Sequence, residues 1–374
     1  MTAASGYPRI RVSGDPYERG LQYGTLARRQ VRNGRDGYER NFAGNGIDWA
    51  GACALAERYA GPIRRHFPQI WRELEGIAAG SGLDVADVLA MNCRTEIMWE
   101  RANRAASEAG IRGECTSFGL APDRTAIGRT LIGQNWDWLV HSFDSVVVLE
   151  VEREDEPNYV TIVEAGLLAK FSLNAHGLAV GVNTLATTAD IDTRGIPFHV
   201  LLRALVDCRT TYDAVELLAG VPRAASGNFL VGTPDGAILD IECEPGCVEG
   251  VHVLPAFGGQ VAHANHFLSR TVASDLALTQ LSDSYVRQQR MTDLLAARAE
   301  HTQDSLHAIL TDHVGSPGSI CCHPDSRTPE AKQWASICSI VIDPAEREVW
   351  LCEGIPCRTE RRRISCAELL SGER

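Results

Sequence analysis

From Cys115 onward the sequence breaks into short β-rich runs joined by tight turns, and this constrains the fold more than any other feature. Residues 115–121 and 130–135 flank a turn at Pro122-Asp123-Arg124 and read as one hairpin. Residues 145–151 and 159–163 are rich in β-branched side chains. Further pairs are 171–174 with 178–183, 228–231 with 237–243, and 337–342 with 348–352; residues 260–263 give a single short strand. Tight turns join antiparallel neighbours, whereas parallel strands need long crossovers. The first hundred residues carry helical spacing instead, over 19–32 behind Asp15-Pro16, 49–66, 69–79 and 84–99. Residues 197–208, 211–218, 284–300 and 303–311 also read as helices. Blocks of hairpins alternating with pairs of helices do not make a βαβ pattern. They predict an α+β fold of largely antiparallel sheets covered by helices.

The chain has 374 residues and a formal net charge of −12. That balance argues against nucleic-acid or anionic-membrane partners, which need a basic footprint. The dense basic run Arg361-Arg362-Arg363 reads as a solvated face. No apolar run approaches the roughly 18–20 residues that span a bilayer. Residues 1–11 hold no apolar signal core, so a cytoplasmic protein is the expectation. Residues 100–114 are polar and small, and read as an exposed linker of the kind where cleavage is tolerated.

Twelve cysteines are spread over the chain, with no paired CxxC knuckles. Without a secretory signal, disulfides are not expected, and most of these thiols read as small buried hydrophobes. Phosphate cradles and a GxSxG elbow are absent. His263 and His266 are three apart, but on a strand end and without HExxH, so neither a metal nor a cofactor is expected. Cys115 differs in context. It opens a strand after a polar linker, and its hairpin returns through Gly133-Gln134-Asn135-Trp136-Asp137-Trp138. That geometry brings Asn135 and Asp137 near Cys115. Two readings fit this pattern: a buried free cysteine beside an ordinary loop aspartate, and a papain-like cysteine hydrolase using a distant histidine; a non-enzymatic binding protein is a further alternative.

At these residues the sequence resembles the acyl-coenzyme A:6-aminopenicillanate (isopenicillin N) acyltransferase family, peptidase class C45, a group of N-terminal nucleophile (Ntn) hydrolases. The matching elements are Cys115-Thr116-Ser117, Gly133-Gln134-Asn135-Trp136-Asp137, Glu164-Ala165-Gly166, Asn174-Ala175-His176-Gly177, His263-Ala264-Asn265-His266 and Ser319-Ile320-Cys321. Their order is kept from about residue 10 to Cys357. The resemblance implies a four-layer αββα Ntn-hydrolase sandwich. It implies self-cleavage between Glu114 and Cys115, giving an α fragment of residues 1–114 and a catalytic β fragment of residues 115–374. The two would stay together as a heterodimer within one domain. Cys115 is then the nucleophile, Asp137 the holder of its new α-amine, and Asn265 an oxyanion donor. His263 and His266 brace Asn265, and Asn135, Trp136, Asn183 and Ser319 line the substrate pocket. The substrate is a small-molecule amide or an acyl-coenzyme A. Two positions depart from the family pattern: Glu114 replaces a frequent glycine, and Cys322 stands where the penicillin enzyme has an arginine. The second departure argues against simply carrying over 6-aminopenicillanate and an acyl-coenzyme A as the natural substrates.

Overall fold

Two sheets position the chemistry. The computed structural model describes residues 6–104, 115–154, 156–190 and 194–371. Its strands are β1 (Arg9–Val12), β2 (Thr116–Leu120), β3 (Leu131–Leu139), β4 (Val146–Val151), β5 (Tyr159–Glu164), β6 (Phe171–Asn174), β7 (Ala179–Thr184), β8 (Gly227–Gly232), β9 (Ile238–Cys243), β10 (Val251–Pro255), β11 (Gln260–His263), β12 (Trp334–Asp343), β13 (Glu348–Glu353) and β14 (Arg361–Ser365). The larger sheet runs β1-β4-β5-β6-β7-β8-β9-β10, and the smaller β11-β2-β3-β12-β13-β14. All neighbours are antiparallel except β1, which lies parallel to β4.

The helices are α1 (Pro16–Leu26), α2 (Arg28–Gly44), α3 (Trp49–His66), α4 (Pro68–Ser81), α5 (Val85–Asn92), α6 (Arg94–Arg104), α7 (Phe198–Leu205), α8 (Thr211–Gly220), α9 (Ala277–Gln280), α10 (Asp283–Ala296), α11 (Gln303–Leu310) and α12 (Ala367–Leu370). Asp15 starts α1 through a reciprocal cap: its carboxylate accepts from the Glu18 backbone, and the Glu18 carboxylate accepts from its own N–H. The N-terminal helices dock on the larger sheet. Tyr23 Oη donates to Leu167 O at 3.2 Å, and Asn92 Nδ2 to Gly166 O at 2.8 Å. On the opposite side Met291, Leu295, Leu306 and Leu310 of α10 and α11 pack on Phe118, Leu120, Leu131 and Val341 of the smaller sheet. The sheets face each other across the middle, where Gln134 of β3 exchanges two 2.8 Å hydrogen bonds with the Val182 backbone of β7. The expected four-layer αββα sandwich is therefore present. No helix among the described residues is long and apolar enough to cross a membrane.

Several local expectations need correction. The single helix over 19–32 is two, broken at Ala27. Past the break, Arg28 and Arg32 turn their guanidiniums onto the carbonyls of Gly80, Ser81 and Gly82 at the end of α4. Strands β1, β10 and β14 were not legible as strands. The basic run is edge strand β14, largely exposed, with Arg363 paired to Glu348 across the ladder. The single helix expected over 84–99 is also two, α5 and α6 parted at Cys93, and α6 runs on to Arg104, into the segment read as a linker. Residues 105–114 of that segment, including Glu114, lie outside the described residues.

Candidate active site

Cys115 stands one residue before β2 and is buried. Thr116 pairs with Asn135 and Ser117 with Gln134, so Cys115 is level with Trp136 and one register step from Asp137. Side chains alternate along a strand. Ser117 Oγ donates to Asn183 Oδ1 of the larger sheet at 2.6 Å, which makes the Cys115 side the inner face. Trp136 shares that face and meets Phe171 of β6 edge-on at 5.4 Å. The buried Lys170 ammonium lies 4.7 Å from the Trp136 ring centre.

The opposite face is bound by α10. Arg287 is fully buried and its guanidinium is engaged on every side. Nη1 donates to Cys115 O at 2.9 Å and Thr116 Oγ1 at 3.0 Å, Nη2 to Asn265 Oδ1 at 3.0 Å, and Nε to Asp283 Oδ2 at 3.0 Å. Asn183 Nδ2 adds a second donor to the Cys115 carbonyl at 3.0 Å. The backbone of Cys115 is thus gripped from both sheet faces. Burial opposes the charge of Arg287, but Asp283 and Asp137 hold its pKa above the ordinary value. It is a fixed cation.

Asn265 follows β11. Its backbone N–H donates to Ser284 Oγ at 2.6 Å, and its Nδ2 to Thr184 O at 2.9 Å. With Arg287 on Oδ1, both ends of the amide are assigned without ambiguity. The flanking histidines anchor this segment. His263 Nδ1 and Nε2 each lie 2.8 Å from an acceptor, Ala264 O and Glu242 Oε1. Nδ1 donates to the carbonyl, and with the Glu242 carboxylate kept ionised by the Leu268 and Ser269 N–H groups, Nε2 donates as well. Burial opposes the ring's positive charge, yet Asp240 and Glu242 raise the pKa overall. His266 Nδ1 meets Ser284 Oγ at 2.8 Å, and its ring stacks on Tyr285.

Asp137 is buried at the second pairing of β3. Ser336 Oγ of β12 donates to its Oδ1 at 2.6 Å, and Oδ2 has no hydrogen-bond partner among the described residues. Burial pushes its pKa up to about 7, against the pull of Arg287 and Ser336. Cys322 lies beside it: its backbone N–H donates to the same Ser336 Oγ, and burial followed by the Asp137 charge holds its thiol well up. The remaining expected residues do structural work in this arrangement. Asn135 Nδ2 donates to Leu310 O and Ile320 O, each at 2.7 Å, and Ser319 Oγ to Cys321 O at 2.7 Å.

Sequence reasoning missed Arg287, Asp283, Ser336 and Thr184. Asp283 and Arg287 form an i,i+4 pair, a spacing that reads as an ordinary surface ion pair on a polar helix. Only packing turns it inward.

Known proteins resemble the chain in sequence. The model of the family described as acyl-coenzyme A:6-aminopenicillanic acid acyl-transferase matches residues 124–358. A relative from Emericella nidulans, the acyl-coenzyme A:6-aminopenicillanic-acid-acyltransferase 40 kDa form, is 26% identical over 319 residues, 83% of this chain and 84% of its own. Among solved structures, a mutant of conjugated bile acid hydrolase from Clostridium perfringens is 14% identical, with a TM-score of 0.47 over 69% of this chain and 95% of that one. Penicillin V acylase from Agrobacterium tumefaciens is 14% identical, with a TM-score of 0.42 over 70% of this chain and 89% of that one.

Proposed function

The chain belongs to the acyl-coenzyme A:6-aminopenicillanic acid acyl-transferase family, and on that premise we propose that it is a self-processing, C45-type amidohydrolase and acyltransferase whose nucleophile is Cys115. The observation that carries this reading is the grip on Cys115: a buried cysteine at a strand head, its carbonyl held by both Arg287 and Asn183, beside a rigidly oriented Asn265 amide.

In the precursor, Cys115 Sγ attacks the carbonyl carbon of Glu114. The C–N bond breaks as the thioester forms, and the nitrogen takes a proton to become the Cys115 α-amine. Water then hydrolyses the thioester, which frees the thiol and leaves a Glu114 carboxylate. An α-amine has a pKa of about 7.7–8, against about 10.4 for lysine, so it accepts the thiol proton near neutrality. The register supports Asp137 as the group that holds this amine, through a carboxylate poised to ionise near pH 7. In turnover the Cys115 thiolate attacks the acyl carbon of the substrate, and the Asn265 side chain supplies an oxyanion donor. The leaving amine or thiol departs with a proton, and the S-acyl-Cys115 intermediate passes its acyl group to water or to an acceptor amine.

The Emericella nidulans relative is named for acyl-coenzyme A and 6-aminopenicillanic acid. We carry over its chemistry and not that acceptor, because Cys322 stands at the family's arginine position. Hydrolysis of a small amide, with transfer as a second fate, is the favoured balance.

Intact mass on purified protein, with Cys115→Ala beside it, tests the proposal. The wild type should give two fragments divided before Cys115, and the variant one uncut, inactive chain. A wild type that is active and stays uncut would sink self-processing. An active Cys115→Ala chain would sink the nucleophile assignment.

A further inference from the structure

Beside this site, two loops bring His313, Cys321, His323 and Cys357 together, with one donor atom of each within 4.8 Å of all the others. His313, Cys321 and His323 lie between α11 and β12, and Cys357 between β13 and β14. His323 Nε2 is 3.1 Å from His313 Nε2, 3.5 Å from Cys321 Sγ and 3.3 Å from Cys357 Sγ. One imidazole nitrogen offers either one hydrogen or one lone pair. It cannot satisfy three partners by hydrogen bonding. A common ion at the centre explains all three approaches.

The geometry fits a particular ion. Zinc binds thiolate sulfur at about 2.3 Å and imidazole nitrogen at about 2.0–2.1 Å, in a tetrahedron. Such a tetrahedron has edges of about 3.3 Å between nitrogens and about 3.6 Å between nitrogen and sulfur. The observed separations lie close to those edges. Two thiolates with two imidazoles is a closed structural donor set, with no position left for a reacting water.

We propose that His313, Cys321, His323 and Cys357 bind one Zn2+ as a structural clamp. Binding releases the two thiol protons as both cysteines become thiolates. The clamp fastens the 311–323 loop to the 354–360 loop. The clamped loop also carries Ile320 O, which accepts from Asn135, and the Cys322 N–H, which donates to the Ser336 hydroxyl that holds Asp137. The ion therefore steadies one wall of the candidate active site without entering its chemistry.

The test is metal content of untagged protein, purified with reductant, incubated with zinc and desalted. One zinc per chain is expected. Cys357→Ser and His313→Ala should lose it, while Cys247→Ser, an exposed cysteine outside the cluster, should keep it. His313 and Cys357 are both exposed, so their variants should fold, and circular dichroism checks this. Cobalt substitution of the wild type gives a readout independent of variants: strong visible bands of tetrahedral Co2+ with thiolate charge transfer in the near ultraviolet. Chelation should lower the melting temperature of wild type and leave Cys357→Ser unmoved. Three results would each overturn the proposal: substoichiometric zinc in folded, reduced wild type; full zinc in both ligand variants; or a Cys321–Cys357 disulfide in peptide maps of that protein.

Discussion

Arg287 shows how much one side chain can organise. Its guanidinium touches the Cys115 carbonyl, Thr116, Asn265 and Asp283. Replacing it with Met leaves buried acceptors and carboxylates without their cation, a change that costs about 3–5 kcal/mol for buried pairs. Thermal or denaturant unfolding of Arg287→Met should show a loss of that order. Asn265→Ala tests the oxyanion role separately: kcat should fall about 10²–10³-fold in a protein that still folds. Asp137 makes a pH prediction. Its carboxyl titrates at 3.8 in the ordinary case and at about 7 in the fold. Between those values the folded chain holds a proton that the unfolded chain has released, so this group's contribution to stability falls as pH rises from about 4 to about 7, then levels. Melting curves of wild type and Asp137→Asn across that window should show the wild type losing ground to the variant as pH rises. A gap that does not change with pH would contradict it. At this scale Cys115 stood out as a candidate because its context is local. Arg287 did not, because nothing local distinguishes a buried i,i+4 pair from an exposed one.

Helix α1 meets α4 through glycines at Gly20, Gly24, Gly76 and Gly80. A Cβ at Gly76 would lie 2.2 Å from Tyr17 O and 2.8 Å from Leu21 N, both backbone atoms that cannot step aside. Gly76→Ala should therefore destabilise by about 1–3 kcal/mol, as overpacking does. Gly44, at the end of α2, has nothing within 4 Å of an added Cβ. Gly44→Ala should raise stability by up to about 1 kcal/mol, since alanine restricts the unfolded chain and suits a helix. Paired unfolding curves would decide both. Element existence was readable wherever period and turn residues agreed, as in the β2–β3 and β8–β9 hairpins. Strand β1 escaped notice because its partner β4 is far along the chain, and Arg9–Val12 carries no turn to announce a pairing.

Across the whole molecule, the segment before the proposed cut is built into the segment after it. Strand β1 completes the edge of the larger sheet beside β4, and the buried Arg94–Glu164 pair joins α6 to β5 at 2.9 Å. After cleavage the two fragments should co-elute in native size-exclusion chromatography and separate only in denaturant. Dissociation in native buffer would contradict the single-domain reading. The sequence by itself determined the class of fold, because hairpin spacing and helical period are local and each tight turn admits an antiparallel neighbour only. Its resemblance to the family marked Cys115, Asp137 and Asn265 as candidates, because the elements that carry the resemblance are short and contiguous. Only the tertiary structure decided which polar groups converge on them. Arg287, Ser336 and Thr184 reach the site from separate elements, and the four ligands of the proposed zinc clamp come from two loops. Neither convergence has a spacing to read, since the distances that matter there are set by packing two sheets and their covering helices and not by separation along the chain.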